Sequence, residues 1–342
     1  FMPTTGEKTR AILATGRIAN LPTVCSNILA GFCLSYSLFS APQHGAFAQA
    51  NTILPLILLM FACGMIYVAG CMLGDAIDHS FDLKNRPNRP IPLGLLDANQ
   101  IRFTSYLLFI LALVTLCLIS PITNSLKPLP QDGIAAIQIH EVFFGCLLTI
   151  VVTCYAFYHK KNKAAALVMM GSCRFLLVIL AMSFAHKALS NSSSITGQWL
   201  PPHLAWLCST LIIPAIGVAA YTILLSWVAS TESKPGVFQS RNILTLILLA
   251  VPLTSIAIIL RMPDTMVVHY PCYCVVLVLC YLWMYSGIHA LKKSKPIFVS
   301  KALAGFCLLD ATFLAPFEPI AAAVCVALFL VALGLQKIAP AT

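Results

Sequence analysis

Charge is what this sequence has least of: of 342 residues, 11 are acidic and 21 basic, against a hydrophobic content of 59%. With a mean hydropathy of +0.90, so little charge excludes an ordinary soluble globule. Paired cysteine spacing is missing too. The 14 cysteines form no CxxC pair and fall mostly inside apolar runs, where a thiol behaves as a small hydrophobe, so neither a zinc site nor a disulfide framework is implied. No basic segment followed by a short apolar core and a small-residue cleavage site opens the chain, and the first apolar run is expected to be a retained helix.

What is present is a series of apolar runs of about 20 residues, the length that crosses a bilayer as a helix. Ten candidate spans lie near 18–40, 53–77, 102–121, 139–159, 164–186, 204–229, 241–261, 266–290, 297–315 and 319–338, the ninth with Lys301 and Asp310 inside it. Of the 21 Lys and Arg, 17 fall on one side: 13 at the N-terminus or in the connections after spans 2, 4, 6 and 8, and Arg102, Arg241, Lys301 and Lys337 close to the same-side ends of spans 3, 7, 9 and 10. Such an excess marks cytoplasmic loops, so both termini are expected on the cytoplasmic side of a bacterial inner membrane or organellar equivalent. The net charge of +10 reads as a topology signal, and no nucleic-acid partner is expected.

Against this background Met72–Pro92, "MLGDAIDHSFDLKNRPNRPIP", stands out. Spacings of three and four residues place Asp75, Asp78 and Asp82 within a narrow arc of one helix face. Three anions at a helix C-terminus oppose one another and the macrodipole. The arrangement is uphill unless cations are supplied, either by Lys84, Arg86 and Arg89 nearby or by a hard divalent ion such as Mg2+, which takes oxygen ligands and substrate phosphates. Prolines 87, 90 and 92 argue for a fixed loop.

"GDAIDHSFD" followed by "NRPNRPIPLG" resembles the first aspartate-rich motif of the UbiA superfamily of intramembrane prenyltransferases, Asn-Asp-x-x-Asp-x-x-x-Asp followed by Arg-Pro-(Leu/Ile)-Pro. Asp75, Asp78 and Asp82 match its aspartates and Arg89–Pro92 the segment after it, while Gly74 stands where the family has Asn. "RIANLPTVCSNILAG" resembles the family's first helix, with Asn20 and Asn27 as possible substrate-binding residues. "YAFYHKKNKAAALVMMGSCR" resembles the connection between helices 4 and 5; this assigns Tyr158, Lys160 and Lys161 to the diphosphate, with Tyr155 and Lys163 as rivals. The Arg-x-Ala-Asn-Leu start and the Gly-x-Cys-Arg segment (Gly171–Arg174) are also found in the EboC-like branch.

The resemblance implies an all-α polytopic fold, a single transmembrane domain over 1–342: a ring of nine transmembrane helices plus a tenth, open sideways to lipid. It implies Mg2+ held by Asp75, Asp78, Asp82 and Glu232, and a diphosphate met by Arg86, Arg89, Lys160, Lys161, Arg174 and Tyr158. The expected reaction moves a prenyl group from a polyprenyl diphosphate to a lipophilic acceptor, aromatic in most of the family. The family's second aspartate-rich motif is where the match fails. In "AAYTILLSWVASTESKPG" Tyr221 fits the tyrosine before that motif, and Glu232 alone remains of its acids. The alternative is therefore a non-catalytic carrier of an isoprenoid or lipophilic metabolite. Arg174, inside span 5, needs an anion: substrate phosphate on one reading, Asp75, Asp78 or Glu232 on the other. Asp310 is expected in a satisfied structural pair, with Lys301 nine residues earlier as its candidate partner, the alternative being contact with a polar acceptor. His79 lies inside the motif within reach of an acceptor proton, whereas His159, His203, His269 and His289 show no ligand spacing.

Overall fold

Backbone polar groups in a bilayer find partners only within a helix or a closed barrel, and the apolar runs fold accordingly. The computed structural model describes residues 4–39, 50–125, 139–190, 202–231, 241–261 and 268–338, and within these it is helical with no strand. Eight helices are long and apolar enough to cross a membrane, which makes this an integral multi-pass membrane protein.

The chain enters through α1 (Thr5–Thr15), whose first turn is closed by a capping box between Thr4 and Glu7. A single 3-10 turn, Ile18–Asn20, leads into α2 (Leu21–Phe39). Next come α3 (Ala50–Ile77), the short α4 (His79–Asn85), α5 (Ala98–Ser125), α6 (Ile139–Tyr158), α7 (Lys163–Ser190) and α8 (Pro202–Ala229). The remainder is α9 (Arg241–Ala250), α10 (Thr254–Ile259), α11 (Tyr270–Leu291), α12 (Lys295–Leu314) and α13 (Pro319–Ile338).

All ten expected spans are helical. The seventh differs in kind, because two short helices replace one. Pro252 lies between them, and a proline ring removes a backbone donor and clashes with the preceding turn.

Helices α2 and α12 are buried on nearly every face, while α5, α11 and α13 keep broad apolar surfaces outward. Helix α2 packs against α3, α7, α12 and α13, and the circuit continues through α3 with α5 and α6, α6 with α7, α7 with α8, and α8 with α12. Small residues permit the closest crossing. A Cβ added at Gly31 would sit 2.7 Å from the Val178 carbonyl oxygen, so α2 and α7 meet backbone to backbone, the usual device where lipid supplies no hydrophobic drive between helices.

Candidate active site

The carboxylates begin where the apolar sequence of α3 runs out. Asp75 is on its last turn, Asp78 occupies the turn before α4, and Asp82 lies in the first turn of α4. The backbone stays nearly helical through the junction: the Asp78 amide donates to the Gly74 carbonyl at 2.9 Å and the Asp82 amide to the Asp78 carbonyl at 2.8 Å. Seven residues are close to two turns, so Asp75 and Asp82 stand one above the other, with Asp78 about 60° around the axis. This is the narrow arc expected from the spacing, but the three side chains divide two plus one in their partners.

Arg89 joins the stacked pair. Its Nη1 donates to Asp75 Oδ1 at 3.0 Å and to Asp82 Oδ2 at 2.9 Å. The proline-rich segment delivers it there. Turn bonds from Arg89 N to Arg86 O and from Leu95 N to Pro90 O fold the segment back, and Ile91 is buried in a cluster with Met72, Ala76 and Ile101. Arg17 adds a weaker contact, its Nη2 3.8 Å from Asp75 Oδ1. Its backbone is left-handed (φ 47, ψ 46), a strained state for a residue with a side chain.

Asp78 faces the end of α6 instead. Lys160 Nζ lies 2.7 Å from its Oδ1 and His159 Nε2 lies 3.2 Å from its Oδ2. His159 Nδ1 is 3.1 Å from the Tyr155 carbonyl. Both ring nitrogens face acceptors, an arrangement that favours the doubly protonated ring. The bond to Asp78 raises the imidazole above its ordinary value against the opposing effect of burial. For Asp78, burial acts to raise the carboxyl, but the hydrogen bonds and charges of His159 and Lys160 prevail and hold it below the ordinary carboxylate range.

The three carboxylates thus meet Arg17, Arg89, Lys160 and the His159 ring of the protein itself. One atom is left over: Asp82 Oδ1 is buried with no hydrogen-bond partner, in a residue only 1% exposed. Magnesium, implied by the resemblance, suits these donors, since carboxylate oxygens are hard ligands, and Asp75 and Asp82 already converge on one cationic atom. Among the described residues no three His, Cys, Asp or Glu side chains are gathered as a ligand set. The fit therefore rests on the Asp75–Asp82 pair, with Asp78 turned to its own cations.

The other expected residues divide. Arg86 ends α4 exposed, with its backbone amide on the Asp82 carbonyl, and its side chain meets none of the three carboxylates. Tyr158 is half exposed and Lys161 sits 4.8 Å over its ring, an arrangement apart from the carboxylates. Of the rivals, Lys163 is exposed at the start of α7, whereas Tyr155 stacks on His159 with ring centroids 5.1 Å apart. Glu232 lies outside the described residues. His159 and Arg17 were not expected at all. His159 directly precedes Lys160, and that adjacency was the available signal.

Deeper in the membrane, Arg174 pairs with neither Asp75 nor Asp78. Its Nη1 donates to Asn27 Oδ1 and to the Thr23 carbonyl, its Nη2 to Thr23 Oγ1 at 2.8 Å, and the guanidinium lies 4.7 Å from the centre of the Phe306 ring. Asn27 in turn donates to Asp310 Oδ2 at 2.7 Å, where Ser26 also donates at 2.6 Å. Asn27 is therefore a bridge between two buried charges. Lys301 donates to Ser286 and lies over Trp283 instead of pairing with Asp310. Asn20 is buried beside this group in the 3-10 turn. The Tyr221 hydroxyl donates to the Ala302 carbonyl at 2.9 Å and its ring meets Phe306 edge-on, which ties α8 to α12. At Gly74, where the family pattern has Asn, an added Cβ would meet nothing within 4 Å.

No family model matches the chain. Two curated relatives carry the name digeranylgeranylglyceryl phosphate synthase. The protein of Methanobrevibacter smithii is 39% identical over 75 residues, 22% of this chain and 26% of its own. That of Sulfurisphaera tokodaii is 33% identical over 181 residues, 53% of this chain and 52% of its own. The chain thus spans at most about half the length of the curated relatives it matches. A solved chain from work on digeranylgeranylglyceryl phosphate synthase in membranes aligns over 96% of this chain and 99% of its own, at 17% identity and a TM-score of 0.48.

Proposed function

We propose that this chain is a member of the UbiA superfamily of intramembrane prenyltransferases, a reading its partial likeness to two named relatives supports, and that it acts as a single transmembrane domain that transfers a prenyl group from a polyprenyl diphosphate to a lipophilic acceptor. The observation that carries the reading is the Asp75–Arg89–Asp82 arrangement, two stacked carboxylates with an orphaned oxygen at the end of a membrane helix. The basic loops support a cytoplasmic position for this end and for both termini.

Asp75 and Asp82 would hold Mg2+, with Asp78 and Glu232 as the further ligands the resemblance implies. When bound, that ion would stabilise negative charge developing on the diphosphate as the allylic C–O bond breaks. Arg89, Arg17 and Lys160 supply guanidinium and ammonium donors for the phosphate oxygens, with bidentate geometry open to the arginines. Apolar helices around the prenyl chain keep water from the allylic cation. The acceptor nucleophile gives up a proton as it takes the prenyl group, and diphosphate leaves. The relatives' name describes a glyceryl phosphate bearing two geranylgeranyl groups, which supports an alcohol oxygen as the nucleophile; an aromatic ring is the second reading.

The test uses the purified chain in lipid nanodiscs with geranylgeranyl diphosphate and a panel of acceptors. Chelation of divalent metal should abolish diphosphate release, and Asp82→Asn should lower it by ~100-fold or more, the scale of losing one electrostatic stabiliser of a transition state. Turnover that survived both changes would end the proposal. Tight binding of the prenyl diphosphate with no turnover on any acceptor would replace it with a carrier.

A further inference from the structure

One guanidinium nitrogen touches both stacked carboxylates, at 3.0 Å from Asp75 and 2.9 Å from Asp82. We propose that Arg89 is a placeholder cation, occupying the position between Asp75 and Asp82 in the ligand-free protein and transferring to the diphosphate on loading, so that divalent metal and diphosphate bind as a coupled pair and each binds poorly alone. This rests on the metal–diphosphate reading above and adds an order to it.

Three observations support the exchange. Asp75 and Asp82 share a single partner atom, so any second cation between them competes with Arg89 directly. Asp82 is 1% exposed, and its Oδ1 is buried without a partner; the present arrangement leaves one carboxylate oxygen desolvated and unsatisfied, a cost that Arg89 does not relieve. Arg89 is attached to a proline-braced loop, not to α3 or α4, and its side chain is 24% exposed, so it can leave without unfolding either helix.

Charge decides the coupling. Metal without diphosphate would displace Arg89 into the neighbourhood of a second cation with no anion to receive it. Diphosphate without metal would draw Arg89 away and leave two carboxylates facing each other and the incoming phosphates. Together, each ligand removes the other's penalty: the phosphates receive the fork of Arg89, and the carboxylates receive the metal. By linkage, the factor by which diphosphate tightens metal binding equals that by which metal tightens diphosphate binding.

The full chain in detergent would be titrated calorimetrically with Mg2+ alone, with non-reactive geranylgeranyl thiodiphosphate alone, and with each in the presence of the other. In the wild type, thiodiphosphate should tighten Mg2+ binding on the order of tenfold or more. Arg89→Gln should bind Mg2+ alone on the order of tenfold more tightly than wild type and reduce the coupling factor toward one. Arg89→Lys keeps the charge but not the fork and should fall between the two, which guards against a folding defect in the glutamine variant. Equal Mg2+ affinity with undiminished coupling in both variants would overturn the exchange while leaving the metal–diphosphate site intact. Binding of neither ligand to the wild type in any combination would overturn that site and the exchange together.

Discussion

Replacing Asn27 by leucine removes both halves of the bridge between the two intramembrane charges. Arg174 would lose its Asn27 acceptor but keep the Thr23 carbonyl and hydroxyl; Asp310 would lose the amide donor but keep Ser26. A hydrogen bond to a charged group is worth about 1.5–3 kcal/mol. Side-chain bonds inside membrane proteins average nearer 0.6 kcal/mol and reach about 1.7, because the freed groups find other partners. With both groups buried here and Asp310 Oδ1 already unpartnered, few alternatives exist, and the summed cost should be about 2–4 kcal/mol. At roughly 2 °C per kcal/mol for a chain of this size, the melting temperature should fall by about 4–8 °C. A thiol-reactive dye reads this well, since Cys33, Cys63, Cys280, Cys307 and Cys325 are buried and free and become reactive on unfolding. A melting temperature within about 1 °C of wild type, with the KM for prenyl diphosphate raised, would refute the bridge and make Asn27 the substrate contact that the family resemblance implies.

Tyr221→Phe removes one neutral hydrogen bond between α8 and α12 and should cost about 0.5–1.5 kcal/mol with KM unchanged; a raised KM at unchanged stability would return Tyr221 to the substrate site. The His159–Asp78 pair should give stability a pH window. His159 lies above its ordinary 6.5, so its contribution is full below 6.5 and lost as pH rises through the raised value; Asp78 lies below its ordinary 3.8, so its contribution is full above 3.8 and fades as pH falls through the lowered value. Melting temperature should therefore decline from neutral to alkaline pH more steeply in wild type than in His159→Gln, and parallel profiles would show that the pair contributes nothing.

Hydropathy places the membrane helices well because a bilayer leaves a long apolar run one structure to adopt. Pro252 showed where that inference stops, since the run 241–261 is mostly apolar and still breaks. At the site, the spacing of Asp75, Asp78 and Asp82 and the Arg89 segment were legible because they are local in sequence. His159 meets Asp78 across 81 residues, and Arg174 meets Asn27 across 147; contacts of that range depend on helix adjacency, which no single segment encodes. The expected Lys301–Asp310 pair fails on local geometry alone: nine residues at about 100° each put the two on opposite faces of α12.

The broken span of α9 and α10 bears on the bilayer as well as on the protein. Ten residues and six residues reach about 15 Å and about 9 Å as helices, each well short of a hydrocarbon thickness of roughly 30 Å. Their outward side chains, Leu249, Leu253, Ile256 and Leu260 among them, are apolar and exposed. Only joined through the turn bonds over 251–256 do they approach that thickness, so the lipid along this flank meets a jointed apolar wall where α5 and α11 offer a continuous one, and bending at such a joint is one way a span accommodates hydrophobic mismatch. Membrane thickness becomes a variable of this protein's stability, with an optimum set on that one side and open to measurement by reconstitution in lipids of graded chain length.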